Sequence, residues 1–309
     1  MAGRLAILCP GQGAQHAGMF DLARLDPGAS RLLDDWFADP ALGPLLRASI
    51  AGEERFANRI AQPSIVAATL ATWTALRASI PEPALVAGYS IGELTAYGVA
   101  GALAPRIAIE VALGRARLMD ACLEGGAAQA MVALSGMPDG SVAALLARWG
   151  FHAAIVTGDD ALVAGGPAAQ GAALAEAALA AGGRATVLPV AVASHTPLLQ
   201  GAVAPFAALL EDQRWSAPAF PVLSGISAEP VHDAKTAMRD LPRQIAEPIR
   251  WKECMDACLE AGVTVALELG PGAALARMLQ SRHPRIACRS VSEFRTLDGI
   301  HAWLARQLD

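Results

Sequence analysis

Gly88-Tyr89-Ser90-Ile91-Gly92-Glu93 follows a short apolar run, Leu85 to Ala87, and opens an amphipathic stretch. That placement reads as a strand, a sharp turn and a helix. Glycine on both sides of Ser90 lets the backbone turn where a side chain would block it, so the serine hydroxyl is pushed out of the fold toward a substrate. The first amides of a helix lack intrahelical partners, and the turn aims the Ile91 N–H at charge developing on an oxyanion. A base completes the pair far downstream: Ser194-His195 follows an apolar strand and leads through Thr196-Pro197 into a helix, where an imidazole can face a cleft. The chain has six histidines, and the other five read as surface or satisfied core residues. Among 29 glycines a G-x-S-x-G match is weak by itself. The strand before it, the helix after it and the base elsewhere give it weight.

Outward from this turn, short apolar runs alternate with longer helix-period stretches, the pattern of an α/β domain with a mostly parallel sheet. Leu5 to Cys9 reads as a first strand. A helix begins at Gln62-Pro63-Ser64 and carries apolar residues to Leu76, Leu94 to Ala104 continues the helix after the serine turn, and a further helix carries Ile107, Val111, Leu118 and Met119 on one side. Val265 to Leu269 is a last strand, ending in Gly270-Pro271-Gly272 before another helix. Residues 127–190 differ in texture. They run strand (130–134), helix (141–149), two short strands around Gly158-Asp159-Asp160, an Ala-rich helix (168–181) and a strand (185–190), the β-α-β-β-α-β order of a ferredoxin-like subdomain. The expected fold is therefore a large α/β-hydrolase-like domain with a parallel sheet, residues 1–126 and 191–309, with a smaller ferredoxin-like subdomain, 127–190, inserted. Ser90 and His195 then flank a cleft between the two.

Composition narrows the function classes. With 54% hydrophobic and 17% charged residues, 309 residues can bury a full core. No apolar run reads as a membrane span and Met1 to Pro10 lacks a signal-peptide h-region, so no membrane association and a cytoplasmic location are expected. A net charge of −5 argues against a nucleic-acid surface. The five cysteines, Cys9, Cys122, Cys254, Cys258 and Cys288, are odd in number and lack metal-ligand spacing, so neither a disulfide framework nor a metal site is expected. Arg277, Arg282, Arg285, Arg289 and Arg295 make the C-terminal stretch cationic, either as a solvated face or as a docking patch for an acidic partner.

Two further segments bear on chemistry. Pro10-Gly11-Gln12-Gly13-Ala14-Gln15 follows the first strand directly. A dinucleotide fingerprint fails at His16 and no phosphate loop occurs, but such a turn can bring a backbone N–H beside the nucleophile. Arg115 lies among apolar neighbours on its helix, as a snorkelling or salt-bridging arginine or as a binding residue.

Taken together with Gln62-Pro63-Ser64-Ile65, Arg115-Ala116-Arg117-Leu118-Met119 and Glu247-Pro248-Ile249-Arg250-Trp251, these motifs resemble the landmarks of the malonyl-CoA:acyl carrier protein transacylases and the acyltransferase domains of fatty acid and polyketide synthases. The resemblance runs from Leu5 to about Met278. It implies that Ser90 is the acylated nucleophile and His195 its general base, that the N–H groups of Gln12 and Ile91 form the oxyanion hole, and that Arg115 takes the malonyl carboxylate. The last role suits a planar guanidinium, which holds a carboxylate bidentately. The backbone carbonyl of Arg250 would orient His195, making the site a dyad. Malonyl-CoA is the implied substrate, with no tightly bound cofactor, and an acyl carrier protein with a phosphopantetheine-like arm is the implied partner. The family pattern has histidine before the nucleophile, and here it is Tyr89. The Tyr-containing turn is similar to the transacylase (epsilon) subunit of bacterial malonate decarboxylase. Other readings are malonyl transfer for fatty-acid or polyketide synthesis, a serine hydrolase using His283 or His301, and a non-catalytic carrier-docking subunit.

Overall fold

Leu5, Ala6, Ile7, Leu8 and Cys9 are all buried. A strand apolar at every position needs cover on both faces, which a parallel sheet flanked by helices supplies. In the computed structural model, which describes residues 3–137 and 140–308, this strand lies inside a six-stranded sheet. Met1 and Ala2 of the N-terminal segment fall outside the described residues. In chain order the elements are β1 (Leu5–Cys9), α1 (Pro27–Ala38), α2 (Gly43–Ala51), α3 (Asn58–Leu76), β2 (Leu85–Gly88), α4 (Ile91–Val99), α5 (Pro105–Ala121), β3 (Gln129–Ser135), α6 (Ser141–Trp149), β4 (His152–Val156) and β5 (Ala161–Pro167). They continue with α7 (Gly171–Ala180), β6 (Arg184–Leu188), α8 (Val203–Glu211), β7 (Val222–Leu223), β8 (Pro230–Val231), α9 (Ala234–Gln244), α10 (Trp251–Glu260), β9 (Val265–Glu268), α11 (Ala274–Arg282), β10 (Ala287–Ser290) and α12 (Leu297–Leu308).

The large sheet has the order β10-β9-β1-β2-β7-β8, parallel except for the β7–β8 edge. Ile7 sits opposite Val86 on one side and Leu267 on the other. Alternation then divides the strand between two cores. Leu5, Ile7 and Cys9 join the apolar faces of α1, α3, α4 and α5, while Ala6 and Leu8 join Trp251, Cys254 and Leu275 from α10 and α11. The chain leaves β1 toward β2 on one side, and β9 adds on the other. The carboxyl ends of these three strands therefore meet at a switch in strand order, where open α/β sheets place their ligands.

The second sheet is antiparallel, with order β4-β5-β3-β6. With α6 and α7 it is the expected ferredoxin-like arrangement, closed over Val132, Leu134, Leu146, Phe151 and Leu174. It is stitched to the larger unit through Ile249, whose N–H donates to Ala154 O (2.9 Å) and whose carbonyl accepts from Val156 N–H (2.8 Å). Gly165 on β5 packs against the loop before His195: a Cβ there would lie 2.9 Å from the side chains of Ala193 and Thr196.

Two helix boundaries differ from the expectation by more than a turn. The helix expected from Gln62 starts at Asn58 and contains Pro63. Its extra first turn is anchored on α5, with Asn58 Nδ2 donating to Asp120 Oδ1 (3.0 Å) and Gln62 Nε2 to Asn58 Oδ1 (2.6 Å). The helix expected through Ala104 stops at Val99, because the chain turns through Gly101 at φ 72° before Pro105 opens α5.

Candidate active site

Ser90 links β2 to α4 with φ 58° and ψ −118°, a conformation that costs a non-glycine residue roughly 1–3 kcal/mol. The strain of the turn thus sits on the serine. The flanking glycines serve close approach instead. A Cβ on Gly88 would lie 2.2 Å from Glu93 N and the Gly92 carbonyl, and one on Gly92 would lie 2.1 Å from Cys9 O. Without side chains there, the first turn of α4 can press against the end of β1.

His195 is buried, also at positive φ (64°), and its backbone N–H donates to Ile245 O (2.8 Å). Its Nε2 lies 2.8 Å from Ser90 Oγ and its Nδ1 lies 2.6 Å from the Gln244 carbonyl oxygen. A carbonyl only accepts, so the proton is on Nδ1, and Nε2 is left as an acceptor for the serine hydroxyl. The orienting carbonyl is therefore that of Gln244 and not that of Arg250. Arg250 is exposed, and its carbonyl is taken by the Cys254 N–H at the start of α10 (3.0 Å). Burial, then the nearby Arg115 charge, lowers the imidazole pKa from 6.5 to about 3, against the opposing Gln244 hydrogen bond. His195 is thereby neutral at physiological pH.

Arg115 is 2% exposed despite its charge. Its Nη1 donates to Gln62 Oε1 (2.7 Å) and its Nη2 to Gln244 Oε1 (3.3 Å). Desolvation lowers its pKa to about 10, offset in part by Glu93, so it remains a cation at neutral pH. A buried guanidinium held by two neutral amides has charge and donors to spare for an anion. Gln244 was not anticipated from the sequence. It lies three residues before the Glu247-to-Trp251 landmark and joins the site from the last residue of α9.

Ile91 is the first residue of α4, and its N–H has no intrahelical acceptor. Among the described residues the N–H groups of Ile91 and Gln12 have no protein acceptor. Gly11 brings the Gln12 loop to the serine turn: a Cβ on Gly11 would meet the carbonyl oxygen and ring of Tyr89 at 3.0 Å. The loop is braced by Gln15, which accepts from Gly13 N–H and donates to Arg55 O (3.1 Å). Tyr89 itself packs edge-on against Trp251 at a centroid distance of 5.3 Å. Beside it a cavity of about 320 Å³ runs between Gln12, Ala14, Leu275 and Met278.

His283 pairs with Asp256 (2.9 Å) and His301 with Ser79 (2.8 Å), so neither histidine of the hydrolase reading is bonded to Ser90. In the cationic C-terminal stretch, Arg282 is bound by Asp256 and Asp159 and Arg289 lies over Phe294, while Arg277, Arg285 and Arg295 are exposed. Cys9, Cys254 and Cys258 are buried, and Cys122 and Cys288 half-buried. No helix among the described residues is long and apolar enough to cross a membrane.

Comparison with known proteins bears on the family and the fold. The family model described as "Acyl transferase domain" matches residues 7–292. The malonyl CoA-acyl carrier protein transacylase of Mycobacterium bovis is 30% identical over 301 residues, covering 96% of this chain and 99% of that protein. The solved malonyl CoA-acyl carrier protein transacylase from Coxiella burnetii superposes with a TM-score of 0.91 at 25% identity, over 100% of this chain and 99% of that one. A malonyl-transacylase solved in complex with its type II polyketide synthase acyl-carrier protein gives 0.88 at 28% identity, over 99% of each chain. Matched in sequence and in fold over nearly its whole length, the chain belongs to the acyl transferase domain family and is an acyltransferase.

Proposed function

We propose that the protein transfers a malonyl group from malonyl-CoA to the thiol of an acyl carrier protein through a malonyl ester on Ser90. The observation that carries this reading is the pairing of a serine and a neutral, oriented histidine (2.8 Å) with a buried arginine on the same glutamine. His195 Nε2 takes the Ser90 proton as Oγ attacks the thioester carbonyl. The oxyanion lies against the N–H groups of Ile91 and Gln12, which are preorganised for charge that exists only in the transition state. Collapse breaks the C–S bond, and the imidazolium returns the proton to the CoA thiolate. In the second half-reaction the carrier thiol gives its proton to His195 and attacks the ester, and Ser90 leaves with that proton. Arg115 holds the malonyl carboxylate throughout and rejects acyl groups that would leave its charge unpaired.

We infer that the carrier is that of a malonate decarboxylase, because the Tyr89-containing turn resembles that of the transacylase subunit of such complexes. The phenol ring fills the space between Gly11 and Trp251, where the family pattern has an imidazole. Loading assays with malonyl-CoA, one using a fatty-acid carrier and one a malonate decarboxylase carrier, test both levels. Faster loading of the second carrier is expected. Preference for the first would overturn the pathway and leave malonyl transfer standing, and loading of neither would overturn the transfer itself.

A further inference from the structure

Glu93 is a fully buried carboxylate on the first turn of α4, and the chemistry above gives it no task. Its Oε2 accepts two hydrogen bonds, from the Gly225 N–H (2.9 Å) and from Gln244 Nε2 (2.5 Å). Gly225 has room for this: a Cβ there would lie 2.7 Å from the same oxygen. Glu93 Oε1 is buried and has no partner among the described residues. Such a group is costly to keep in a core, where an apolar residue of the same shape would avoid the desolvation.

What it does follows from Gln244. The backbone carbonyl of Gln244 accepts from His195 Nδ1 (2.6 Å), its Oε1 accepts from Arg115 (3.3 Å), and its Nε2 reaches the Ser90 carbonyl (3.2 Å) as well as Glu93. A side-chain amide can be turned either way round. An oxygen that accepts from both Gly225 N–H and Gln244 obliges Gln244 to present its NH₂ group there, and the other end of the amide, Oε1, must then face the guanidinium. Turned over, the amide would set its donors against those of Arg115.

We propose that Glu93 is a positioning residue: through Gln244 it fixes both the carbonyl that orients His195 and the oxygen that holds Arg115, so that the base and the acyl-recognition arginine are set by one carboxylate. The proposal deepens the malonyl-transfer reading and rests on it. Burial raises the Glu93 pKa to about 7. A proton added at the free Oε1 would leave both bonds to Oε2 in place.

The test uses Glu93→Leu, which removes the acceptor, and Glu93→Gln, whose amide oxygen can still accept from Gly225 and Gln244. Wild-type acylation by malonyl-CoA is measured first, and its failure would count against the reading of function and not against the positioning role. Two signals that loss of folded protein does not change are then followed: the ratio of malonyl to acetyl kcat/KM, and the downfield proton resonance of His195 Nδ1–H. Glu93→Leu is expected to lower the ratio at least fivefold and to shift or broaden the resonance, with Glu93→Gln restoring both. Gln244→Leu, which keeps Glu93 and the backbone carbonyl, should lower the ratio similarly and serves if Glu93→Leu does not fold. A wild-type ratio and resonance in Glu93→Leu, an unchanged ratio in Gln244→Leu, or a Glu93→Gln protein as impaired as Glu93→Leu would overturn the proposal.

Discussion

Replacing Arg115 should change which acyl group is accepted. Two of the five N–H donors of its guanidinium are spent on the neutral oxygens of Gln62 and Gln244, leaving the cation free to take a carboxylate in a site with 2% exposure. A charge-assisted bidentate contact in such a place is worth about 2 to 5 kcal/mol, roughly a 30-fold to several-thousand-fold loss of malonyl kcat/KM in Arg115→Ala. Acetyl-CoA has no carboxylate to lose, and the variant no longer sets an unpaired guanidinium against its methyl group. Acetyl transfer should therefore stay level or rise, with Arg115→Lys intermediate, because lysine keeps the charge without the planar fork. The variant also strands two buried amide oxygens, each at about 1–3 kcal/mol of stability, so a thermal melt must accompany the kinetics. Quenched-flow acylation with both thioesters gives the comparison. Equal losses for malonyl and acetyl groups in folded protein would leave Arg115 with a structural role and no part in acyl recognition.

Because the folded His195 pKa is depressed from 6.5 to about 3, the base form persists well below neutrality, and acylation should show no midpoint near pH 6.5 within the range where circular dichroism reports a native fold. A rate that halves near that pH would contradict the environment described for the imidazole. The same depression acts on stability with a definite sign. Between pH 6.5 and 3 the unfolded chain binds a proton that the folded chain does not, so this residue's contribution falls as pH falls through that window. Gly92→Ala places a methyl group 2.1 Å from the Cys9 carbonyl and must push α4 away from β1; about 1–3 kcal/mol of destabilisation is expected, with acylation falling as Ile91 moves. An unaltered melting temperature and rate would disprove the close approach. Tyr89→His should still be acylated by malonyl-CoA, since the phenol neither attacks nor carries the transferred proton, and complete loss in a folded variant would give Tyr89 a catalytic role.

The serine turn was legible because its requirements are local: a strand, a tight approach that excludes side chains and a helix all lie within a few residues of Ser90. The ferredoxin-like order was legible for the same reason, each hairpin and helix being marked by its own period. Gln244 was not legible. A backbone carbonyl carries no side-chain signature, and nothing in Arg239 to Glu247 distinguishes the residue whose main chain meets His195 from Arg250 six positions later. Arg115 could be placed among apolar neighbours, but its choice between snorkelling and full burial depends on Gln62 and Gln244, which come from two other helices. The start of α3 at Asn58 was hidden likewise, since a proline inside a helix reads as its beginning unless the contacts that α5 makes with the earlier turn are known.

Whether Ser90 carries the acyl group is decided by intact-mass measurement and peptide mapping after brief mixing with malonyl-CoA. A single malonyl adduct is expected on the peptide containing Ser90, absent in Ser90→Ala, formed at least about a thousandfold more slowly in His195→Ala, and discharged by a carrier thiol. An adduct on another side chain, one that survives Ser90→Ala, or release of free malonate in place of any adduct would contradict it.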